Sequence, residues 1–268
     1  MKVQNKIIVV TGGGNGMGRE LVLALLSRGA SVAAVDINAS ALEETVALAG
    51  VNRANLATYT VNITDRAVVE ALPEQVISRF GAVDGIINNA GVIQPFVKLK
   101  DLDYAAIDRV MNVNLFGTLY MTKAFLPHLL ARPEAHITNI SSMGGFLPVP
   151  GQTIYGAAKA AVKLLTEGLN SELMGTNVRV TVVFPGAIGT NIAANSGVMN
   201  TLQVKSGDTS IKMLAPAKAA QIILEGIENN RYRVLVGSDS RFMDAIYRLN
   251  PQRAARFILN QMSSLLPQ

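Results

Sequence analysis

Residues Lys6 to Gly18 read KIIVVTGGGNGMG: a short continuous apolar run, a cluster of glycines, and the start of a helical pattern. That pattern extends from Met17 to Ser27 and ends at Arg28-Gly29. An apolar run without alternation is what a strand buried on both faces requires, as in a parallel sheet covered by helices. A glycine-rich turn between such a strand and a helix aims backbone N–H groups and the positive helix end at one spot, where a phosphate can sit. The spacing narrows the choice. A Walker loop closes with Gly-Lys-Ser/Thr, whereas Gly18 is followed by Arg19 and Glu20. The GxGxxG spacing cannot be laid on the stretch either. What fits is Gly12, Gly16 and Gly18, a GxxxGxG.

The alternation of strand and helix continues. Ser31 to Asp36 is a second apolar run that ends in a carboxylate, and a helical pattern over Ala39 to Ala49 leads to a third strand, Ala54 to Val61. Asn62-Ile63-Thr64-Asp65 reads as a turn and cap for a helix to Arg79. Val83 to Asn88 is a fourth strand, opening into Asn89-Ala90-Gly91 at the edge where open parallel sheets bind ligands. A long helix is expected from Asp101 to about Leu130, with Asn114 in its middle and Pro127 kinking or ending its last turn. Its apolar residues, Leu115, Phe116, Leu119 and Tyr120, occupy several faces, which suggests burial between the sheet and a second subunit. His136 to Ser141, Val178 to Phe184 and Val234 to Val236 complete seven strands. The expectation is an α/β fold: a Rossmann-like, doubly wound, mainly parallel seven-stranded sheet with helices on both faces.

Length and composition fit a single domain over residues 1–268, since 49% of the chain is hydrophobic and 16% charged, enough for a large core. Within it, residues 190–213 are polar, contain Met and lack a strong period, as a substrate flap would. Residues 238–268 form an expected helical tail. It has two amphipathic pieces, about Ser240 to Leu249 and Pro251 to Leu266, the second with Ile258, Met262, Leu265 and Leu266 on one face. The chain has no Cys, which excludes disulfides, thiolate chemistry and Cys-built zinc sites. His128 and His136 have no carboxylates at ligand spacing, so no metal is expected. No targeting segment or membrane span is visible, and the expected location is the cytoplasm. The net charge is +5, and from Asn229 onward six Arg stand against two Asp. Such a tail can meet an anionic partner, but solvated helix faces show the same pattern more often.

The most reactive pairing lies in NISSMGGFLPVPGQTIYGAAK, Asn139 to Lys159. An apolar strand end passes through a Gly- and Pro-rich turn into a helix that carries Tyr155 in its first turn and Lys159 four residues on. Residues so spaced share a helix face at about 5–6 Å. A cation there favours the phenolate and lowers a pKa that is ordinarily near ~10, toward acid/base work at neutral pH. Ser142, thirteen residues before Tyr155, can present its hydroxyl to the same space. Alone, YxxxK also occurs in ordinary helices. Asp36, at the end of the second strand, is placed to bond adenosine ribose hydroxyls and to repel a 2′-phosphate, which favours NAD over NADP. No basic residue stands at Asn15 or Ile37 to reverse that preference.

Taken together these motifs resemble the short-chain dehydrogenase/reductase family, in its single-domain branch. Thr11-Gly12-x-x-x-Gly16-x-Gly18, Asn88-Asn89-Ala90-Gly91, Asn114 in NVNLFG, Ser142 in NISSMGG, Tyr155-x-x-x-Lys159 and Pro185-Gly186-Ala187-Ile188-Gly189-Thr190 arrive in the family's order, over about residues 6 to 236. The resemblance implies that Tyr155 is the general acid in reduction and the base in oxidation. Lys159 would lower its pKa and hold the nicotinamide ribose, and Ser142 would orient the substrate oxygen. Asn114 would hold a water that relays protons toward Lys159. Ser141 is the rival to Ser142, and the family's Ser-to-Tyr spacing favours Ser142. The implied cofactor set begins with Gly12, Asn15, Gly16, Met17 and Gly18 at the pyrophosphate, Asp36 and Ile37 at the ribose, and Asn62 and Ile63 at adenine. Asn89, Ala90 and Gly91 would line the groove beside Tyr155 and Lys159. Pro185 and Gly186 open the stretch whose Ile188 and Thr190 would meet the carboxamide. Asn62 departs from the family's usual Asp, and its amide oxygen is expected to bond the adenine amino group.

The reading that follows is an NAD-dependent oxidoreductase interconverting a secondary alcohol and a ketone with apolar bulk. Ile93, Met143, Phe146 and Thr190 to Met199 are expected near the substrate, and no Arg or Lys from the core motifs clearly reaches in to hold an anionic one. A non-catalytic dinucleotide-binding sensor or scaffold is the alternative, disfavoured because all four catalytic positions are filled. Nucleic-acid binding is not expected, because the basic tail lacks dense Lys/Arg clusters with interleaved aromatics. The tail's apolar face packs on protein more often than on a membrane surface. The family and the apolar long helix imply a homotetramer or homodimer.

Overall fold

The computed structural model describes residues 1–198 and 213–262. In chain order the elements are β1 (Ile7–Thr11), α1 (Gly16–Ser27), β2 (Ser31–Asp36), α2 (Ala39–Ala49), β3 (Leu56–Thr60), α3 (Arg66–Phe80) and β4 (Gly85–Asn88). There follow α4 (Tyr104–Met111), a widened π-helical turn at Asn112–Gly117, α5 (Thr118–Leu130), β5 (Ala135–Ile140), α6 (Thr153–Glu172) and β6 (Val178–Pro185). The short α7 (Ile192–Asn195), α8 (Pro216–Glu228), β7 (Arg233–Val236), α9 (Ser238–Leu249) and α10 (Pro251–Met262) complete the described chain. Residues 199–212 of the expected flap, Met199 among them, and Leu265 and Leu266 of the tail lie outside the described residues.

The seven strands form one sheet in the order β3-β2-β1-β4-β5-β6-β7, and every neighbouring pair is parallel. The winding reverses between β1 and β4, so the carboxyl ends of those strands open a crevice where the sheet's two halves meet. One face is sealed by α1 and α8 through Leu21, Leu25, Ile223 and Leu224, and the other by α3, α5 and α6 through Leu72, Met121, Phe125 and Leu169. Local signals set the helix starts. Asp65 accepts from Ala67 and Val68 N–H groups, Asn38 from Ala41 and Asp103 from Ala105, each satisfying donors that a helix leaves unpaired.

The start and the middle of the long helix need correction. It starts at Tyr104, because Asp103 caps it, and its middle is the π turn that contains Asn114. It also runs through Pro127 to Leu130. The proline deprives the Lys123 carbonyl of a donor, but both residues lie on the exposed side, where that oxygen is open to solvent, while Phe125 and Leu129 bury the opposite face. Phe116 and Tyr104 remain 39% and 81% exposed on the outer face.

A chain of buried amides fixes α5 and α6 against the sheet beneath the crevice. Asn88 Nδ2 donates to Thr122 Oγ1 at 3.0 Å and to Asn139 Oδ1 at 2.8 Å, and Asn139 Nδ2 donates to Thr166 Oγ1 at 3.0 Å. The tail forms its own small core. Leu147, Met243, Ala254 and Ile258 cluster together, with Met143, Phe146, Ile246, Tyr247 and Met262 packed against them.

Candidate active site

The glycine loop builds one end of the site. Gly12 and Gly16 take φ of 69° and 51°, in the left-handed region that side chains resist. A Cβ on Gly18 would collide with the Gly12 carbonyl and the Asn89 side chain, so this glycine is what lets α1 start against the turn. Asn15 Oδ1 accepts from the Gly16 N–H at 2.6 Å and caps α1. The carboxylate of Asp36 is fixed from two sides: Gly14 N–H donates to Oδ2 at 2.9 Å and Asn38 N–H to Oδ1 at 3.0 Å. Arg19, the nearest cation in sequence, is already engaged by the Gly14 carbonyl and by Glu44 at 2.6 Å.

At the switch point, Thr11 Oγ1 accepts from the N–H groups of Asn89 and Ala90, both at 3.0 Å, and Asn89 Nδ2 donates back to the Thr11 carbonyl at 3.0 Å. Asn114, 0% exposed, grips the next turn: Oδ1 accepts from Val92 N–H at 2.9 Å and Nδ2 donates to Val92 O at 2.8 Å. Both ends of its amide are thus in use, a constraint invisible in the sequence.

Across the crevice, the two serines after β5 have different duties. Ser141 is buried and donates to the Lys159 carbonyl at 2.7 Å, which ties the strand end to α6. Ser142 Oγ accepts from Gly144 N–H at 3.0 Å, and its own hydrogen is turned to the Tyr155 phenol. Lys159 is 4% exposed and donates from Nζ to the Ile140 carbonyl at 2.9 Å. Burial pushes its pKa down to about 8. For Tyr155, burial raises the phenol pKa and a hydrogen bond with Ser142 lowers it. The expected lowering by Lys159 is not the effect seen here. The ammonium is aimed at Ile140 and stands 6.0 Å from the centre of the ring.

The sequence model of the short chain dehydrogenase family matches residues 6–200. The chain belongs to the short-chain dehydrogenase/reductase family. The oxidoreductase SadH of Mycobacterium tuberculosis is 33% identical over 270 residues, 98% of each chain. A family member from Burkholderia phymatum, solved with NAD, superposes with a TM-score of 0.81 at 26% identity, over 93% of this chain and 96% of its own. Another from Burkholderia cenocepacia, solved with NADP, gives 0.80 at 27% identity, over 97% and 99%.

In this dehydrogenase/reductase the glycine loop, the β2 and β4 ends and the start of α6 enclose a cavity of about 620 Å³. Every residue that the resemblance assigned to the cofactor lines it, from Gly12 to Thr190, and so do Ser142, Tyr155 and Lys159. Asn114 does not. It stands behind the wall, with its amide on Val92. Of the residues expected near the substrate, Ile93, Thr190, Asn191, Ile192 and Asn195 line the cavity, whereas Met143 and Phe146 turn away into the tail's core. Arg109, outside the core motifs and one helical turn before Val113, is an exposed residue that also lines the cavity. Asn62 also differs. Its Oδ1 accepts from the N–H and hydroxyl of Thr64, at 3.1 and 2.9 Å, so Nδ2, a donor, is the end left over. Sequence reasoning missed Arg109 because an isolated Arg on an amphipathic helix carries no motif.

Proposed function

We propose that this protein is an NAD-dependent oxidoreductase that interconverts a secondary alcohol and a ketone, with Tyr155 as general acid in reduction and base in oxidation. The observation that carries this reading is the convergence of Ser142, Tyr155 and Lys159 on one cavity whose other end is the glycine loop and the fixed Asp36 carboxylate. The residues fit a dinucleotide. The bare Gly18 lets the start of α1 close on the glycine turn, which brings the helix N-terminus to the cavity, and each Asp36 oxygen keeps a lone pair for ribose hydroxyls after its one backbone bond. Asp36 would repel a 2′-phosphate, and Arg19 is not free to attract one. The Asn62 Nδ2 suits an acceptor such as an adenine ring nitrogen rather than the amino group.

The bound nicotinamide supplies or accepts the hydride. Ser142, held through its lone pair by Gly144, donates its hydrogen to the substrate oxygen or the phenolate, which stabilises charge as it develops. Lys159 supplies positive charge behind Tyr155 and, after rotation from Ile140, a hand for the ribose. Asn114 would serve a relay water through the second lone pair of its backbone carbonyl, which also accepts from Thr118 Oγ1 at 2.9 Å, since its amide is held by Val92. The apolar Ile93 and Ile192 favour an uncharged, apolar substrate. We read residues 1–268 as one catalytic unit with residues 190–213 as its flap. It would act in the cytoplasm, as a homotetramer or homodimer joined through the face that displays Tyr104 and Phe116. Among the described residues no helix is long and apolar enough to cross a membrane.

The test is NADH and NADPH consumption by the purified protein over aliphatic, aromatic, steroid and acyl ketones, with Tyr155→Phe alongside. NADH turnover that disappears in the variant is the expected result. Turnover that survives Tyr155→Phe, or a clear preference for NADPH, would overturn the corresponding part of the reading.

A further inference from the structure

The helix that carries Tyr155 starts without a cap of its own. Gln152 precedes its first residue and makes no side-chain bond to the helix N–H groups. Two of those groups, at Ile154 and Tyr155, instead donate to a single oxygen, Gln94 Oε1, at 2.8 and 2.9 Å. Gln94 lies about sixty residues earlier, on the turn that follows β4. The contact is reciprocal, because Gln152 Nε2 donates to the Gln94 carbonyl at 2.8 Å. Gln94 is 0% exposed and Gln152 3%. A buried helix start needs acceptors for its first N–H groups, and here a distant glutamine provides them.

The turn that bears Gln94 is itself held at each successive residue. Val92 is gripped by Asn114, the Ile93 N–H donates to Ser196 Oγ at 2.9 Å, and Gln94 takes the start of α6. Tyr155 is the third residue of its helix, so a shift of the first turn moves the phenol directly. Ser142, on the other side, comes from a separate strand end and would not follow it.

We propose that Gln94 is a positioning residue for Tyr155: its side-chain oxygen anchors the first turn of α6 and so sets the phenol against Ser142 and Lys159. The proposal rests on the assignment of Tyr155 as the acid/base group. Gln94 does not line the cavity and touches neither cofactor nor substrate space; it acts through the helix. Its Nε2 makes no hydrogen bond among the described residues, so only the oxygen is in use. Exchange for glutamate therefore removes no donor that is working. A carboxylate receiving two N–H bonds at a helix start is favoured in its ionised form. The ionisable groups lining the cavity are Asp36, Arg109, Tyr155 and Lys159, so this carboxylate would be a new anion on the Tyr155 side, away from the Asp36 rim.

The experiment compares Gln94→Leu and Gln94→Glu in the full chain by steady-state alcohol oxidation across pH and NADH binding by fluorescence. It adds titration of the Tyr155 phenol by carbon-13 NMR of labelled tyrosine, assigned with Tyr155→Phe. Gln94→Leu should lower kcat about 10- to 100-fold, as small misplacement of a reacting group does, while NADH affinity stays as in the wild type. Gln94→Glu should restore most of kcat at alkaline pH and move the phenol titration and the acid limb of the rate upward by about one pH unit. Wild-type kcat in Gln94→Leu would overturn the proposal, as would loss of NADH binding in step with kcat in both variants, which would make Gln94 a general fold residue. If Gln94→Leu does not fold, Gln94→Glu decides alone: an unmoved phenol titration sinks the idea. Absence of turnover in the wild type counts against the oxidoreductase reading, and the NMR titration still reports on Gln94.

Discussion

The backbone N–H of Gly14 donates to Asp36 Oδ2 at 2.9 Å, which locks the glycine loop and the end of β2 into one unit. The carboxylate that would receive the ribose thus also holds the loop that would receive the phosphates. Asp36→Ser removes both the anion and the loop contact. Loss of a charged hydrogen bond of about 1.5–3 kcal/mol corresponds to roughly 10- to 100-fold. The expected outcome is a fall of that size in kcat/KM with NADH and a smaller fall, or a gain, with NADPH. Parallel kinetics with the two cofactors check it. An unchanged ratio would mean that Asp36 does not discriminate.

Ser141 and Ser142 are neighbours in sequence with opposite surroundings. Ser141→Ala removes a buried donor from the Lys159 carbonyl and is expected to cost about 1 kcal/mol of stability, leaving most of kcat intact. Ser142→Ala removes the hydroxyl bonded to Tyr155, which on the proposed function would meet the substrate oxygen, and is expected to lower kcat about 100-fold or more, with little effect on melting. Thermal unfolding and turnover, measured on both variants, separate the two roles. Equal losses of kcat would contradict the assignment.

The buried ammonium of Lys159 makes stability depend on pH in a stated direction. Its folded pKa, about 8, lies below the ordinary 10.5. Between those values the unfolded chain binds the proton and the folded one does not, so this group makes stability rise as pH increases from about 8 to 10.5. Below pH 8 both states are protonated and the burial penalty stands in full. Lys159→Met should therefore gain in melting temperature relative to the wild type at pH 7, and that advantage should shrink toward pH 10.5, while turnover is lost. Calorimetry of the cofactor-free protein across this range checks the sign. An advantage that grows with pH would refute it.

The architecture was legible because its signals are local. Strand β2 and helix α2 fall where the apolar runs and the caps put them, and the GxxxGxG stretch forms the turn between β1 and α1. The π turn at Asn112–Gly117 was not legible, since no periodicity marks one extra residue in a helix. Side-chain allegiance was hidden too. Nothing in the sequence says that the Asn62 oxygen turns to Thr64, that Met143 faces the tail, or that Gln94 reaches α6. Such pairings depend on which surfaces the fold brings together, and they decide which atoms of a motif residue remain free for chemistry.

The tail bears on the site through its first two residues after the helix begins. Asp239 Oδ2 accepts from the Ala187 N–H at 2.6 Å, and Ser240 Oγ donates to the Phe184 carbonyl at 2.8 Å. A Cβ on Gly186 would run into the Asp239 carboxylate, so the Pro185-Gly186-Ala187 turn and α9 are fitted to one another. That turn leads directly to Ile188 and Thr190, on the cavity wall. Asp239→Ala leaves the Ala187 N–H without its acceptor and loosens the turn, whereas Asp239→Asn keeps an acceptor without the charge. The expected result is graded. NADH binding should weaken about tenfold or more in Asp239→Ala and less in Asp239→Asn, in line with the difference between charged and neutral hydrogen bonds. Fluorescence titration of NADH on the three proteins tests this. Equal affinities would confine α9 to covering the apolar loop at Met143 and Phe146.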